Sequence, residues 1–284
     1  MKIQLLSDLH LEVHPHYQPT PAAGADVLVL AGDIGSYQSG SLLAGDYFGL
    51  ERFSPLPQFA SWPCPVIFVP GNHEYDQQDW DAADARLRQV CDTLGILWLE
   101  RSCSTLNGVR FAGTTLWTDY DAIALLDEQV QAGDMGRLLR LREKSFRAAN
   151  FYLQKTGGTR HGAPFLAEPM RQQALLCQQW LRQTLAQPFD GPTVVVTHFA
   201  PSLRSSDPRY GLVPGTAGFC NTLDDLLPHA QLWLHGHLHA PSDYTVQGQH
   251  ADGSHWACRV VANPLGYARK GEQLHFQPAT CITV

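Results

Sequence analysis

Ala230-Gln231-Leu232-Trp233-Leu234-His235-Gly236-His237-Leu238-His239 is a short apolar run that opens into a glycine turn carrying imidazoles one residue apart. The run reads as the end of a buried strand. Gly236 lets the backbone come close to whatever lies beyond it, and nitrogen donors on such a turn suit transition-metal ions. In a chain with 13 histidines a His-x-His pair alone is a weak sign, so its weight depends on what the other strand ends carry.

Four other apolar runs end in the same way. Residues 2–6 close with Ser7-Asp8-Leu9-His10, 27–31 with Gly32-Asp33, 65–69 with Pro70-Gly71-Asn72-His73-Glu74, and 193–196 with Thr197-His198. Unbroken apolar runs of this length mark strands buried on both faces. Five such strands, each delivering polar ligand-type residues at its carboxyl end, predict a site where α/β sheets gather their ligands.

Between the strands, Trp80, Ala83, Leu87, Val90 and Leu94 recur at helical spacing. Met170, Ala174, Cys177, Leu181 and Leu185 do likewise, with Pro169 suited to a first turn. Asn107-Gly108, flanked by 102–106 and 109–112, predicts a hairpin. The tail, at 242–246, 256–261 and 280–284, reads as three further antiparallel strands of a second sheet. Residues 120–165 differ: Leu139, Phe146, Ala149 and Leu153 fit one helical face, while Arg137, Arg140, Arg142, Lys144 and Arg147 crowd the others. That basic stretch is either a solvated face with pairs such as Glu143 and Arg147, or a lid over an anionic substrate. Residues 1–284 are read as a single domain, with 120–165 as a helical insertion that caps the site.

Composition narrows the function classes. A hydrophobic content of 44% with 17% charged residues describes a folded globular chain and excludes a disordered one. No apolar run is long enough to span a bilayer. The first strand begins at once, which leaves no room for a leader, so a cytoplasmic protein is expected. The 7 cysteines are odd in number and lack a Cys-x-x-Cys pair, so free thiols are expected instead of disulfides or a thiolate metal site. A formal charge of −7 argues against a protein that grips long nucleic acid.

In order, Asp8-x-His10, Gly32-Asp33, Gly71-Asn72-His73-Glu74, His198 and Gly236-His237-x-His239 resemble the five signature motifs of the calcineurin-like metallophosphoesterase superfamily. The resemblance runs from residue 8 to 239. It implies an α/β fold, a sandwich of two mixed β-sheets flanked by helices, with a two-metal site at its edge. It also implies one divalent ion on Asp8, His10, Asp33 and His239 and a second on Asp33, Asn72, His198 and His237. Asp33, with two carboxylate oxygens, would bridge them. Mixed imidazole, carboxylate and amide donors suit manganese, iron, zinc or nickel better than calcium or magnesium. Two ions about 3.5–4 Å apart would lower the pKa of a bridging water, the implied nucleophile, and clamp the phosphoryl oxygens. His73 would protonate the leaving oxygen, with Glu74 orienting it.

The remaining candidates carry less. His235 matches no ligand position and reads as structural. His14-Pro15-His16 reads as an exposed loop, and Trp117 as either a core residue or a groove wall. Arg204 and Arg209, in the Pro-, Ser- and Gly-rich segment 199–220, are candidate phosphate clamps. Asn263-Pro264-Leu265-Gly266-Tyr267 resembles a segment of small bacterial members of the superfamily. One departure is Ile34-Gly35-Ser36-Tyr37 after Asp33, without the acidic or amide residue often found there.

The expected activity is metal-dependent hydrolysis of small phosphorylated substrates, with phosphodiesters of nucleotide size favoured over phosphomonoesters. A nuclease acting on short or single-stranded ends is disfavoured by the net charge and the lack of an aromatic-basic stripe. A non-catalytic metal-binding scaffold would be expected to have lost ligands or His73, and this chain keeps them all. Nothing in the sequence specifies an oligomeric state.

Overall fold

Strands that are apolar at every position must be covered on both sides, and layering achieves this. The computed structural model describes all 284 residues. One sheet contains β1 (Lys2–Leu6), β2 (Val27–Ala31) and β3 (Val66–Val69), then helix α1 (Trp80–Leu94) leads to its edge strand β4 (Leu97–Trp98). Hairpin strands β5 (Ser102–Leu106) and β6 (Val109–Thr114) begin the other sheet. Helices α2 (Glu128–Gln131) and α3 (Met135–Thr156) follow, then a two-stranded ribbon of β7 (Thr159–Arg160) and β8 (Ala163–Pro164), and helix α4 (Ala167–Leu185). Strands β9 (Thr193–Thr197), β10 (Leu232–His235), β11 (Ser242–Gln249) and β12 (His255–Ala262) complete the second sheet, and β13 (Cys281–Thr283) returns to the first.

The orders are β13-β1-β2-β3-β4 and β11-β12-β10-β9-β6-β5. Parallel pairs form the middle of each sheet and antiparallel pairs lie at edges, so both sheets are mixed. The period-two alternation of the strands sorts their apolar residues into two cores. Ile3, Leu5, Val29, Ile67, Val194 and Leu234 belong to the layer between the sheets. Leu30, Phe68, Val195 and Trp233 belong to the outer core, with Leu87 of α1 and Leu181 of α4. No helix is long and apolar enough to cross a membrane.

Local signals act as their chemistry dictates. Asn107 and Gly108 both take positive φ, 48° and 77°, as a hairpin turn matching the strand twist requires. Asp79 caps α1 by accepting from Ala82 N, and Gly95 ends it at φ 67°.

Two expectations are corrected. β11 and β12 do pair antiparallel in the second sheet, but β13 pairs antiparallel with β1 in the first. A strand's alternation reports two faces and not which distant strand it joins. In α3, Phe146, Ala149 and Leu153 pack against the core, whereas Leu139 is 52% exposed. Arg137 and Arg142 pair with Asp127 and Asp121, and Arg140 lies 3.9 Å from Asp134. The carboxylates that pair with this face are Asp121, Asp127 and Asp134, and the expected ion pair between Glu143 and Arg147 does not form.

Candidate metal centre

β1, β2, β3, β9 and β10 point their carboxyl ends to one edge of the sandwich, and the loops that leave them carry every residue of the expected ligand set. These loops turn sharply. Asp8, His10, Asp33, His237 and His239 all have positive φ, between 46° and 72°. Aspartate and histidine tolerate that region better than most residues, at a cost of order 1–3 kcal/mol each. Gly71 and Gly236 make room: a Cβ on Gly71 would lie 2.1 Å from Asp33 Oδ1, and one on Gly236 2.6 Å from Asp8 Oδ2.

Two overlapping groups result. Asp8, His10, Asp33 and His239 bring one donor atom each within 4.8 Å of one another, as do Asp33, His198 and His237. Asp33 belongs to both. Asn72 joins the second group through Oδ1, 3.2 Å from His198 Nε2. The groups are tied together, because both oxygens of Asp8 accept from His237 N, at 2.9 and 3.1 Å.

The imidazoles are held from behind. His10 Nδ1 lies 2.9 Å from Glu12 Oε1, and His239 Nδ1 2.8 Å from Glu272 Oε2. His198 Nδ1 donates to Ala31 O at 2.8 Å and His237 Nε2 to Gly218 O at 3.3 Å. Each contact occupies one ring nitrogen and leaves the other free as a donor. Tyr267 stacks on His10 at 4.4 Å, while Phe199 and Phe219 lie 4.0 and 4.9 Å from His237.

The donors fit cations. Asp33 Oδ2 is buried and faces only the ring nitrogen of His198, at 3.2 Å and without good hydrogen-bond geometry, a costly state for a carboxylate oxygen. His10 Nε2 and His239 Nε2 face each other at 2.9 Å although both Nδ1 atoms are already turned to carboxylates, so two lone pairs converge on one point. Burial, and then neighbouring imidazoles, push His10 and His237 well below the usual histidine range, which leaves them neutral and able to coordinate. Burial opposes charge on His198, but Asp33 at 3.2 Å carries it up to about 9. Cation binding would displace the proton of that pair.

His73 stands beside both groups without joining either. Its backbone N donates to Asp33 Oδ1 at 2.8 Å, its Nδ1 lies 2.5 Å from Asp76 Oδ2, and its Nε2 is 4.0 Å from Asp33 Oδ2. Burial works against the imidazolium, yet Asp76 and Asp33 together hold its pKa well above the usual value.

Glu74 does not orient His73. Its buried carboxylate accepts from Asp33 N, Ile34 N and Gly71 N at 3.2, 2.7 and 2.8 Å, bracing two ligand loops, while Asp76 takes the imidazole. His235 is buried against Ser205 Oγ, 3.0 Å from Nε2, as expected of a structural residue, and burial pushes it down to about 4. Trp117 is a core residue, 1% exposed. His14 is half-buried and donates to Gly266 O at 3.0 Å; only His16 of that segment is exposed. Arg204 lies 3.4 Å from Asp224, and Arg209 forks onto Asp207.

Sequence reading missed Glu12, Asp76, Glu272 and Tyr267. Glu12 and Asp76 lie two and three residues after His10 and His73, a spacing that could have marked them. Glu272 reaches His239 from 33 residues away and leaves no local signal. Tyr267 lies in the Asn-Pro-x-Gly-Tyr segment, where Leu265 N and Gly266 N bond to Ser7 O and Asp8 O and bring the ring over His10.

The model of the calcineurin-like phosphoesterase family matches residues 1–241. Among solved structures, phosphopantetheinyl hydrolase from Mycobacterium tuberculosis is similar in fold, with a TM-score of 0.63 and 21% identity over 99% of this chain and 95% of that one. No curated protein matches the sequence.

Proposed function

The chain belongs to the calcineurin-like phosphoesterase family and is a metal-dependent phosphoesterase; from that premise we propose that it hydrolyses phosphodiesters of nucleotide size, using two divalent transition-metal ions and His73 as the acid. The observation that carries the two-ion reading is Asp33, common to both donor groups, with one buried oxygen that only the His198 ring faces. Asp8, His10 and His239 would hold one ion with it, and Asn72, His198 and His237 the other. When bound, such ions polarise phosphoryl oxygens and lower the pKa of a bound water.

The chain's own residues supply the rest. His73 N donates to Asp33 Oδ1 at 2.8 Å, which leaves Oδ2 as the oxygen that could serve an ion. Asp76 holds Nδ1 of His73, which leaves Nε2–H on the side of Asp33 where a leaving oxygen can take its proton. Phe199 and Phe219 keep the ring of His237 in place and wall one side of the site.

Substrate contacts fall on the opposite side. Arg204 and Arg209 are already paired with Asp224 and Asp207, whereas Arg269 forms no ion pair and lies, with Lys270, beside Tyr267. A cavity of about 280 Å³ opens there, lined by Glu12, Val13, His14, Leu42, Tyr267 and Arg269, with room for one compact group of an ester. Residues 120–165 serve as the cap: α3 packs on Pro214–Gly218, the turn that leads to Phe219.

The test is turnover of a chromogenic bis-ester against the matching mono-ester with added Mn²⁺, followed by nucleotide diesters and a phosphopantetheinyl ester, the group for which the structural neighbour is named. Faster cleavage of the bis-ester supports the proposal. Preference for the mono-ester overturns its diester part, and bound metal without turnover of any ester would make the chain a scaffold.

A further inference from the structure

Polar groups that the protein leaves unpaired meet at the cavity beside Tyr267. Glu12 spends Oε1 on His10, while its Oε2 is buried and bonded to nothing. The backbone of Tyr267 is held at both ends, N donating to Glu272 Oε2 and O accepting from Lys270 N, each at 2.8 Å. Its hydroxyl bonds to no protein group. We propose that this cavity is a subsite for the ester arm that is not expelled, and that it selects an arm bearing neighbouring hydroxyls, as on a sugar or polyol. Glu12 Oε2 accepts from one hydroxyl and the Tyr267 hydroxyl donates to the next. The inference rests on the diester reading above and adds to it the chemistry of one arm.

The walls are set before any ligand arrives. Leu42 N donates to Glu12 O at 2.8 Å, His14 Nε2 to Gly266 O at 3.0 Å, and Gly266 N to Asp8 O at 3.0 Å. Both sides of the cavity therefore hang on the strand end that carries Asp8 and His10. Asn263 Nδ2 donates to Leu5 O at 2.8 Å and anchors the segment that leads to Tyr267. Burial, then the carboxylates of Asp33, Glu12, Asp76 and Asp8, raise the pKa of the phenol, so the hydroxyl end of the ring lies toward the metal centre.

Other arms fit less well. A base or aryl group needs a flat face to stack on, and Tyr267 has none to spare: His10 covers one at 4.4 Å, and Lys270 Nζ stands 4.7 Å over the ring. An acyl chain needs an apolar lining. The cavity of about 280 Å³ offers only two aliphatic side chains, Val13 and Leu42, and both are exposed. An arm without hydroxyls would also shut Glu12 Oε2 and the phenol away from water unpaired, the penalty by which such sites reject an analogue lacking the group.

The experiment compares two nitrophenyl phosphodiesters, one with a dihydroxypropyl arm and one with a propyl arm, on the Mn²⁺-loaded enzyme. They share the leaving group, so only the retained arm differs. Wild type should favour the diol in kcat/KM by about 10- to 100-fold. Tyr267→Phe keeps the ring on His10 and removes the hydroxyl. In Glu12→Gln the amide oxygen must serve His10, which turns the NH₂ to the cavity and puts a donor where the acceptor stood. Each variant should cut the preference about tenfold. Because Glu12 also holds His10, the ratio between the two esters is the readout and not the rate on either. Calorimetric Kd values for the matching nitrobenzylphosphonates, which resist hydrolysis, should separate in the same sense. Equal rates on the two diesters, faster cleavage of the propyl ester, or a preference untouched by both variants overturns the inference. Turnover of nitrophenyl phosphate with neither diester cleaved overturns the diester reading beneath it.

Discussion

Asp76 Oδ2 lies 2.5 Å from Nδ1 of His73, three residues before it, and this contact directs the opposite ring nitrogen toward Asp33. His73→Ala should therefore retain both ions and lower kcat on esters with poor leaving groups by the ~10²–10⁴-fold of a lost general acid. With a nitrophenolate leaving group, which needs little protonation, the deficit should shrink. Asp76→Asn should show the same leaving-group trend at smaller amplitude. Rates across a leaving-group series with metal content measured in parallel check this, and equal losses on all esters would assign His73 to positioning or electrostatics.

Asp33 contributes to both donor groups, so its loss should exceed that of any other ligand. After dialysis Asp33→Asn should keep fewer ions per chain than His239→Ala, with activity following. Two ions retained in Asp33→Asn would exclude a bridging role.

Glu74 satisfies three buried backbone N–H groups from two ligand loops. Glu74→Ala strands them at about 1–3 kcal/mol apiece, so global stability should fall by about 3 kcal/mol or more. Thermal unfolding of the metal-free protein isolates this from any effect on binding. An unchanged Tm would mean that the loops find other partners.

The cap can be tested by salt. Arg140, Lys144 and Arg147 are exposed on α3, whereas Phe219 lies 4.9 Å from His237. Replacing the three cations with Gln should raise KM for an anionic substrate at low ionic strength and lose its effect near 1 M salt, where the screening length is about 3 Å. Phe219→Ala should raise KM at every ionic strength. If the triple variant matches wild type throughout, the basic run is only a solvated face.

Of the seven free thiols, Cys103 is exposed, Cys281 is half-buried, and the other five are buried. The folded protein should give one fast equivalent with a chromogenic disulfide, lost in Cys103→Ser, and all seven only on unfolding. Several fast equivalents would contradict the packing of Cys91, Cys177 and Cys220.

The sequence disclosed most of the ligand edge because each motif is a local event: an apolar strand stops, and the next few residues turn and carry donors. Asp8, Asp33 and His198 could be placed from their own neighbourhoods. What it hid depends on distant partners. Glu272 meets His239 because a loop after β12 folds back, and β13 joins β1 across nearly the whole chain. Glu74 was visible, but its carboxylate is claimed by backbone N–H groups that no side-chain pattern encodes. Arg204 and Arg209 looked like clamps until the neighbouring Asp224 and Asp207 were seen to hold them.

The positive φ of five candidate ligand residues has a meaning for drifting sequences. Histidine, aspartate, asparagine and glycine are the residues a left-handed turn accepts most readily, and three of the four are also metal donors. At Asp8, His10, Asp33, His237 and His239 the choice of residue is therefore filtered twice, once by geometry and once by chemistry. A descendant that had given up its ions could keep much of that lettering simply to keep its turns. Asn72, at φ −88°, and His198, outside the positive region, face no such steric filter. Those two letters are the better witnesses that a chain of this shape still handles metal.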